Sequence, residues 1–491
     1  MTRRVLLHCD SGLEHGMGHL MRTIAVGESA IDAGWDVRMG GSIDALGLTA
    51  AKAALPGIRV DQIPSEGRTA WLHAAVDEFG PDVVHIDSYR FHTTVPGDAL
   101  VSSMQDGEFG VRHSDLSIDG SLGAMERFCR PEWSRRQLAG PPAAAIRRGV
   151  REQRQAIVRV SLVPRILVVV GGTDPNNLTP AVVDALGTDA RPFELTVVCR
   201  AEQEAAVRKA ARSHPITTHR FLHDLPGVAR AHEIVLTAAG TSVWDFACLG
   251  QPMALICAAD NQVAGYDAAV AAGLALGIGS TQASFRERIS SVVDLAYDSA
   301  ARVAQSEHLR TIVDGLGSWR IVSAWEQLGS LSPEEYESEP RLVARPATLD
   351  DAGILFDWRN ELETRRASHA QGPLSWAAHR EWLGATLSDP ERLLLVVQHG
   401  TESVGTVRWD AARDGWTVSL TMAPAFRGRG WARALLRAGE DALPGGGPTR
   451  LKAEIRADNA RSLRLFARAG YLPDSPESAE GFVRLAKCRF G

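Results

Sequence analysis

Short runs of consecutive apolar residues alternate with alanine-rich stretches of helical period from residue 1 to about 325. An unbroken apolar run of four or five residues suits a strand covered on both faces, so the pattern predicts parallel α/β sheets. The clearest strands are expected at residues 5–8, 83–86, 166–170, 195–198, 234–236 and 253–257. The length fits two such sheets, a first lobe over residues 1–150 and a second over 151–330, divided in the basic helical stretch 147–159 ahead of Pro164. Residues 331–340 are acidic and broken by prolines, which reads as a linker. From 341 to 491 the pattern changes to a strand at 342–345, helices at 349–360 and 375–387, and strands at 393–398, 403–409 and 416–421. A helix from Trp431, a strand at 451–455 and a helix at 459–469 follow, which predicts a mixed α+β domain.

Composition narrows the partners. Hydrophobic content of 45% and charged content of 23% are those of an ordinary soluble protein. The balance of 53 basic against 59 acidic residues gives −6, which offers no electrostatic case for nucleic acid or an anionic membrane and makes small molecules the expected ligands. Six cysteines are scattered without a C-x-x-C pair, as expected of reduced thiols in a cytoplasmic protein, and no zinc cluster is visible. No apolar run is long enough to span a bilayer, and the amino-terminal run is too interrupted for a signal peptide.

The first chemistry-bearing motif is Gly16-Met17-Gly18-His19 with Arg22, between the strand at 5–8 and a helix expected at 19–33. Gly16 and Gly18 allow positive φ and a close approach of backbone to ligand, and a helix start favours an anion. The same helix field opposes protonation of His19, which suits a neutral imidazole acting as a base; a capping or packed histidine is the alternative. A dinucleotide fingerprint would need glycine where Met21 stands, and the glycines break the helical spacing that a metal pair of His15 and His19 requires, so no metal is expected.

Two further loops follow strands of the second half. Gly171-Gly172-Thr173-Asp174 and Gly240-Thr241-Ser242 both end strands and open helices, the second with Asp245 in its first turn. Backbone N–H groups and hydroxyls there suit a diphosphate, and Asp245 suits ribose hydroxyls; tight turns, the second capped by Ser242, are the alternative. Asn261 and Gln262 add polar groups after another strand.

In order, the Gly16–Gly18–His19 loop, Ile86-Asp87-Ser88-Tyr89, the loop 171–174, Gly240-Thr241-Ser242 with Asp245, and Asn261-Gln262 resemble the nucleotide-sugar hydrolases of pseudaminic acid biosynthesis over roughly residues 1–320. The resemblance implies the two-lobed glycosyltransferase type B fold of Rossmann-like lobes. It also implies cleavage by water of the C1–O bond of UDP-2,4-diacetamido-2,4,6-trideoxy-β-L-altropyranose, with release of UDP. On this resemblance His19 is the base, and Arg22 and Asp87 belong with the residues that bind the UDP-sugar. Tyr89, Asn261 and Gln262 line the sugar pocket, the second lobe's loops hold UDP, and no metal takes part. Two departures stand out: Asp245 replaces the superfamily's usual Glu, and Gln105-Asp106 stands where the hydrolases often have paired acidic residues.

In the C-terminal domain, Met422 leads to Arg427-Gly428-Arg429-Gly430-Trp431-Ala432 and a helix. Successive backbone N–H groups and two arginines suit a pyrophosphate, with a solvated basic turn as the alternative. With Asn459, Ser462, Phe466 and Gly470-Tyr471 downstream, this domain resembles the Gcn5-related N-acetyltransferases, which implies acetyl-CoA as cosubstrate. Trp358-Arg359-Asn360, Arg365 and His379-x-x-Trp382 resemble the branch that acetylates the 4-amino group of a UDP-sugar in the same pathway. That branch implies Arg359, Arg365 and His379 on the diphosphate and Trp382 on uracil; packed aromatics are the alternative for Trp358 and Trp382. Glu454 is the candidate to accept the amine proton. Phe466 stands where many members use Tyr to protonate the departing thiolate, so water, Tyr471 or another group must serve.

The expectation is a bifunctional cytoplasmic enzyme that acetylates a UDP-4-amino-sugar and then hydrolyses UDP from the product. A glycosyltransferase that uses an acceptor hydroxyl, or a non-catalytic UDP-sugar module serving the acetyltransferase, would keep the same fold.

Overall fold

The computed structural model describes residues 2–12, 16–125, 134–154, 160–170, 174, 176–222, 224–331, 340–445 and 449–489. Met1–Val322 form one compact unit and Ser323–Gly491 a second. Among the described residues no helix is long and apolar enough to cross a membrane.

The first unit holds two parallel sheets. One contains β1 (Arg4–Cys9), β2 (Asp36–Gly41), β3 (Arg59–Gln62), β4 (Val83–Asp87), β5 (Leu100–Met104), β6 (Ser114–Asp119) and β7 (Ser134–Ala139), in the order β3-β2-β1-β4-β5-β6-β7. The other contains β8 (Arg165–Val169), β9 (Glu194–Val198), β10 (Ile216–His219), β11 (Ile234–Ala238), β12 (Met253–Ile256) and β13 (Leu276–Gly279), in the order β10-β9-β8-β11-β12-β13. Both orders run outward from the first strand and then restart on its other side, the doubly wound Rossmann-like pattern. A crevice therefore opens at the carboxyl ends of β1 and β4, and again at those of β8 and β11.

Alternation along β8 shows how the sequence covers both faces. Ile166 and Val168 pack with the helices Leu178–Leu186 and Gln282–Tyr297, while Leu167 and Val169 pack with the helix Ser242–Leu249. Burial of each such side chain is worth about 1.5–3 kcal/mol. The helix Gly317–Gly329 returns to the segment that joins the sheets: Ser318 Oγ donates to Ile146 O at 3.2 Å and Arg320 Nη1 to Pro142 O at 2.7 Å.

The second unit is built on β14 (Val343–Pro346), β15 (Arg392–His399), β16 (Glu402–Ala412), β17 (Gly415–Met422), β18 (Thr449–Arg456), β19 (Leu472–Ser475) and β20 (Phe482–Arg489), in the order β14-β15-β16-β17-β18-β20-β19. Neighbours are antiparallel except β17 and β18, which run parallel and pair only from Trp416–Leu451 to Val418–Ala453. The helix expected at 349–360 begins as a 3-10 turn, Leu349–Asp351, before Ala352–Asn360. The short helix Leu362–Arg366 and the strands β19 and β20 went unanticipated.

Candidate functional site

His19 lies in the first turn of the helix Gly18–Asp32, at the crevice between β1 and β4. No side chain caps that helix start, so its first N–H groups have no side-chain partner at the cap. Gly16 has φ +71° and its N–H donates to Gly12 O at 2.7 Å, a tight loop that a side chain would strain. Asp87, the last residue of β4, accepts at Oδ1 from His19 Nδ1 at 2.6 Å. Arg22 grips the same carboxylate through Nη2 at 2.8 Å and Nε at 3.0 Å. Because the ionised Asp87 carboxylate can only accept, Nδ1 carries the hydrogen, the 3.1 Å approach of Arg22 Nη2 to Nδ1 is a packing contact, and the lone pair of a neutral ring lies on Nε2. Among the described residues nothing hydrogen-bonds that Nε2. Burial pushes the Asp87 carboxyl up, but Arg22 and His19 outweigh it and hold the group well below the usual carboxylate range.

Asp106 extends the cluster. Its carboxylate accepts from Arg22 Nη1 at 2.8 and 2.7 Å and from the Tyr89 hydroxyl. Burial, and then Asp106, push the Tyr89 phenol upward, so it stays protonated. The Tyr89 ring presents an edge to His19, centroids 4.3 Å apart. Sequence reasoning noted Asp106 only as a departure; its partnership with Arg22 and Tyr89 spans 84 and 17 residues and has no local signal.

The opposite crevice approaches this cluster. A Cβ on Gly18 would meet Thr241 Oγ1, and one on Gly240 would lie 3.7 Å from Gln262 Nε2. Ser242 begins the helix Ser242–Leu249 without capping it, since the N-cap is Thr241 and no side chain bonds there. Asp245 Oδ2 accepts from Arg147 Nη2 at 2.8 Å. Gln262 Oε1 accepts from Ala258 N at 3.0 Å, and Asn261 sits in the turn Asp260–Gln262. Gly171, Gly172 and Thr173 lie outside the described residues. Asp174 corrects an expectation: it is buried and its carboxylate takes the first N–H groups of the helix Leu178–Leu186, accepting from Leu178 N, from the N–H and hydroxyl of Thr179, and from Gln203 Nε2. Those four donors leave little of the carboxylate for a ligand.

In the second unit a cavity of about 1910 Å3 opens where β17 and β18 diverge. Its wall includes Met422, Arg427, Gly428, Gly430, Trp431, Ala432, Asn459, Ser462 and Phe466, along with Arg359, Trp382 and Glu454. Gly428 and Gly430 have φ +77° and +75°, so glycine is needed for this turn. Beyond Val418 the backbone of β17 is free of β18, a slot that suits an extended, amide-bearing chain. Asn459 caps the helix Ala460–Arg468, accepting from Ser462 N at 3.1 Å.

Four expectations in this unit are corrected. His379 is fully buried with Nε2 bonded to Ala352 O at 3.0 Å, because the helix Trp376–Ser388 turns that face into the core and not toward a diphosphate. Arg365 does not line the cavity; Nε and Nη1 donate to the carbonyls of Asn360 and Gln371. Arg429 stacks its guanidinium 4.7 Å from the Phe426 ring and 5.7 Å from the Trp431 ring, outside the cavity wall. Tyr471 is fully buried and donates to Glu440 at 3.0 Å, so it offers no proton to a ligand. Arg359 reaches the cavity while donating Nη2 to Ala370 O at 2.7 Å, and Arg427 is tied to Glu361, Glu363 and Thr364. Trp382 lies under Arg408, 5.9 Å away. Glu454 Oε1 accepts from Arg484 Nε at 2.7 Å.

Residues 341–472 match the acetyltransferase (GNAT) domain family. Over 319 residues the chain is 21% identical to an uncharacterized protein of Methanocaldococcus jannaschii, covering 62% of this chain and 61% of that one. Over 224 residues it is 22% identical to the spore coat polysaccharide biosynthesis protein SpsG of Bacillus subtilis, covering 44% and 66%. The chain therefore spans about two thirds or less of the length of these relatives. Among solved structures, MurG of Acinetobacter baumannii aligns with 67% of this chain over its whole length, at 14% identity and a TM-score of 0.48. The chain thus joins a pair of Rossmann-like parallel sheets to a C-terminal acetyltransferase domain of the GNAT family.

Proposed function

We propose that the protein is a bifunctional cytoplasmic enzyme of pseudaminic acid biosynthesis. Residues 341–491 N-acetylate a UDP-4-amino-sugar with acetyl-CoA, and the lobes 1–150 and 151–330 then hydrolyse UDP from UDP-2,4-diacetamido-2,4,6-trideoxy-β-L-altropyranose. The observation that carries the hydrolase half is the 2.6 Å contact of His19 Nδ1 with the buried Asp87 carboxylate, which leaves Nε2 as the basic nitrogen. In this reading Nε2 takes a proton from water as the oxygen attacks the anomeric carbon and the C1–O bond to UDP breaks. Thr241, Gly240 and Gln262 stand opposite, where the leaving diphosphate gathers charge, and the uncapped start of the helix Gly18–Asp32 adds its N–H groups to the same charge.

Acetyl-CoA fits the second unit by the size of its cavity, the diverging strands and the glycine turn 428–430. Bound there, it supplies the activated acetyl group. The test is mass spectrometry of products from a panel of UDP-amino-sugars incubated with acetyl-CoA. The expected products are CoA thiol, UDP and free diacetamido-sugar. Acetylated nucleotide without UDP release would reject the hydrolase half, and UDP release only with an added hydroxyl acceptor would make the first module a glycosyltransferase.

A further inference from the structure

The loop after the helix Leu362–Arg366 carries a histidine to the cavity wall that no motif singled out. We propose that His369 is the base that removes the proton from the acceptor amine, with Glu454 as the residue that orients it. The proposal rests on the acetyltransferase reading of the cavity and reassigns the role first given to Glu454.

His369 Nε2 lies 3.5 Å from Glu454 Oε2, and its ring stacks on Phe482 with centroids 3.9 Å apart and 8° between the planes. All three residues line the cavity. The other oxygen of Glu454 is held by Arg484. A carboxylate gripped by a guanidinium and facing an imidazole is better suited to fix the ring's tautomer than to take a proton itself. With hydrogen on Nε2 toward Glu454, the lone pair of the neutral ring is on Nδ1. Arg456 also lies on this side, its guanidinium 5.9 Å from the Phe482 ring and paired with Asp458.

The loop itself is fastened. Arg359 donates to Ala370 O, Arg365 to Gln371 O, and Asn360 exchanges two bonds with Leu374, accepting at 2.8 Å and donating at 3.0 Å. The arginines expected on a diphosphate thus fix the segment that follows His369, so the ring rests on a braced loop. In the reaction, the acceptor nitrogen attacks the acetyl carbonyl carbon and a C–N bond forms as the C–S bond breaks. The amine proton passes to His369 Nδ1 and from there to solvent, and the CoA thiolate takes a proton from solvent.

The experiment measures thiol release from acetyl-CoA with a UDP-4-amino-sugar for the full chain and for His369→Ala, His369→Gln and Glu454→Gln. Both His369 variants are expected to lose roughly 100-fold in kcat with the KM for acetyl-CoA within about twofold. Added imidazole should recover His369→Ala by about tenfold or more, and Glu454→Gln should lose about tenfold, the smaller effect of a positioning residue. Turnover by the wild type with His369→Ala within about threefold of it, or no imidazole rescue, overturns the proposal alone. A larger loss in Glu454→Gln than in His369→Ala returns the base to Glu454. No turnover by the wild type overturns the acetyltransferase reading, and the proposal with it.

Discussion

A Cβ built on Gly18 would lie 2.7 Å from Thr241 Oγ1 and 3.1 Å from its Cγ2, so the first lobe's helix start and the second lobe's loop meet with no room for a methyl group. Gly18→Ala should therefore push this loop away from His19 and lower kcat/KM for UDP release, by about tenfold or more given the sensitivity of such sites to displacements near 1 Å. Thr241→Ala removes both obstructing atoms. The double variant Gly18→Ala with Thr241→Ala should therefore outperform Gly18→Ala alone; equal or lower activity would mean that the contact does not set the spacing.

Asp87→Asn tests the imidazole's orientation. An amide can offer an N–H to Nδ1, which would move the ring hydrogen to Nε2 and remove the lone pair from the nitrogen that the proposed mechanism uses. UDP release should fall by roughly 100-fold or more. Loss of the buried charge opposite Arg22 should also cost about 3 kcal/mol in urea unfolding. A variant that releases UDP at the wild-type rate would remove the dyad from the mechanism.

His8 gives the first unit an acid-sensitive core. It is fully buried near the end of β1, stacked on Phe91 at 4.1 Å, and among the described residues neither ring nitrogen has a hydrogen-bond partner. Burial pushes its imidazole down to about 4, with Arg68 and Arg112 helping and Asp10 and Asp87 opposing. The unfolded chain binds a proton below about 6.5 that the folded chain refuses until about 4. Stability is therefore full above that window and falls as pH drops through it, by roughly 3 kcal/mol. His85, pushed down to about 4 by the same burial, adds to the slope. His8→Leu should melt higher than wild type at pH 5 and show a shallower fall from pH 7 to pH 4.5; an unchanged slope would show that His8 is not its source.

The sheets of the first unit were only partly legible. β1, β4, β8, β9, β11 and β12 read as apolar runs because both faces are covered. β6 and β7, Ser-Asp-Leu-Ser-Ile-Asp and Ser-Arg-Arg-Gln-Leu-Ala, escaped because buried Ser117 and Ser134 and the alternation with polar residues hide them. Gly18 and His19 stand out in the sequence through local loop chemistry, and in the fold His19 lies against Asp87. Asp174, Arg365 and His379 were misread for a common reason: their partners are backbone groups or core neighbours that only the folded chain supplies. His369 had no signal, since Glu454 is 85 residues away in sequence and Phe482 further still.

Phe466 and Tyr471 together define what can protonate the departing thiolate. Phe466 lines the cavity and meets Tyr471 edge to face, centroids 4.9 Å apart, while the Tyr471 hydroxyl points away to Glu440, which also binds Lys487. Burial, reinforced by Glu440, pushes the Tyr471 phenol far up, so it neither titrates nor reaches the cavity. Tyr471→Phe should accordingly leave kcat for acetyl transfer within about twofold while lowering stability by about 1–3 kcal/mol, because Glu440 is left with a buried oxygen short of a donor. Phe466→Tyr would place a hydroxyl on a ring that already faces the cavity. If thiolate departure limits turnover, kcat should rise by about tenfold. An unchanged kcat in Phe466→Tyr with a large loss in Tyr471→Phe would reverse the assignment and return the proton donor to the buried tyrosine.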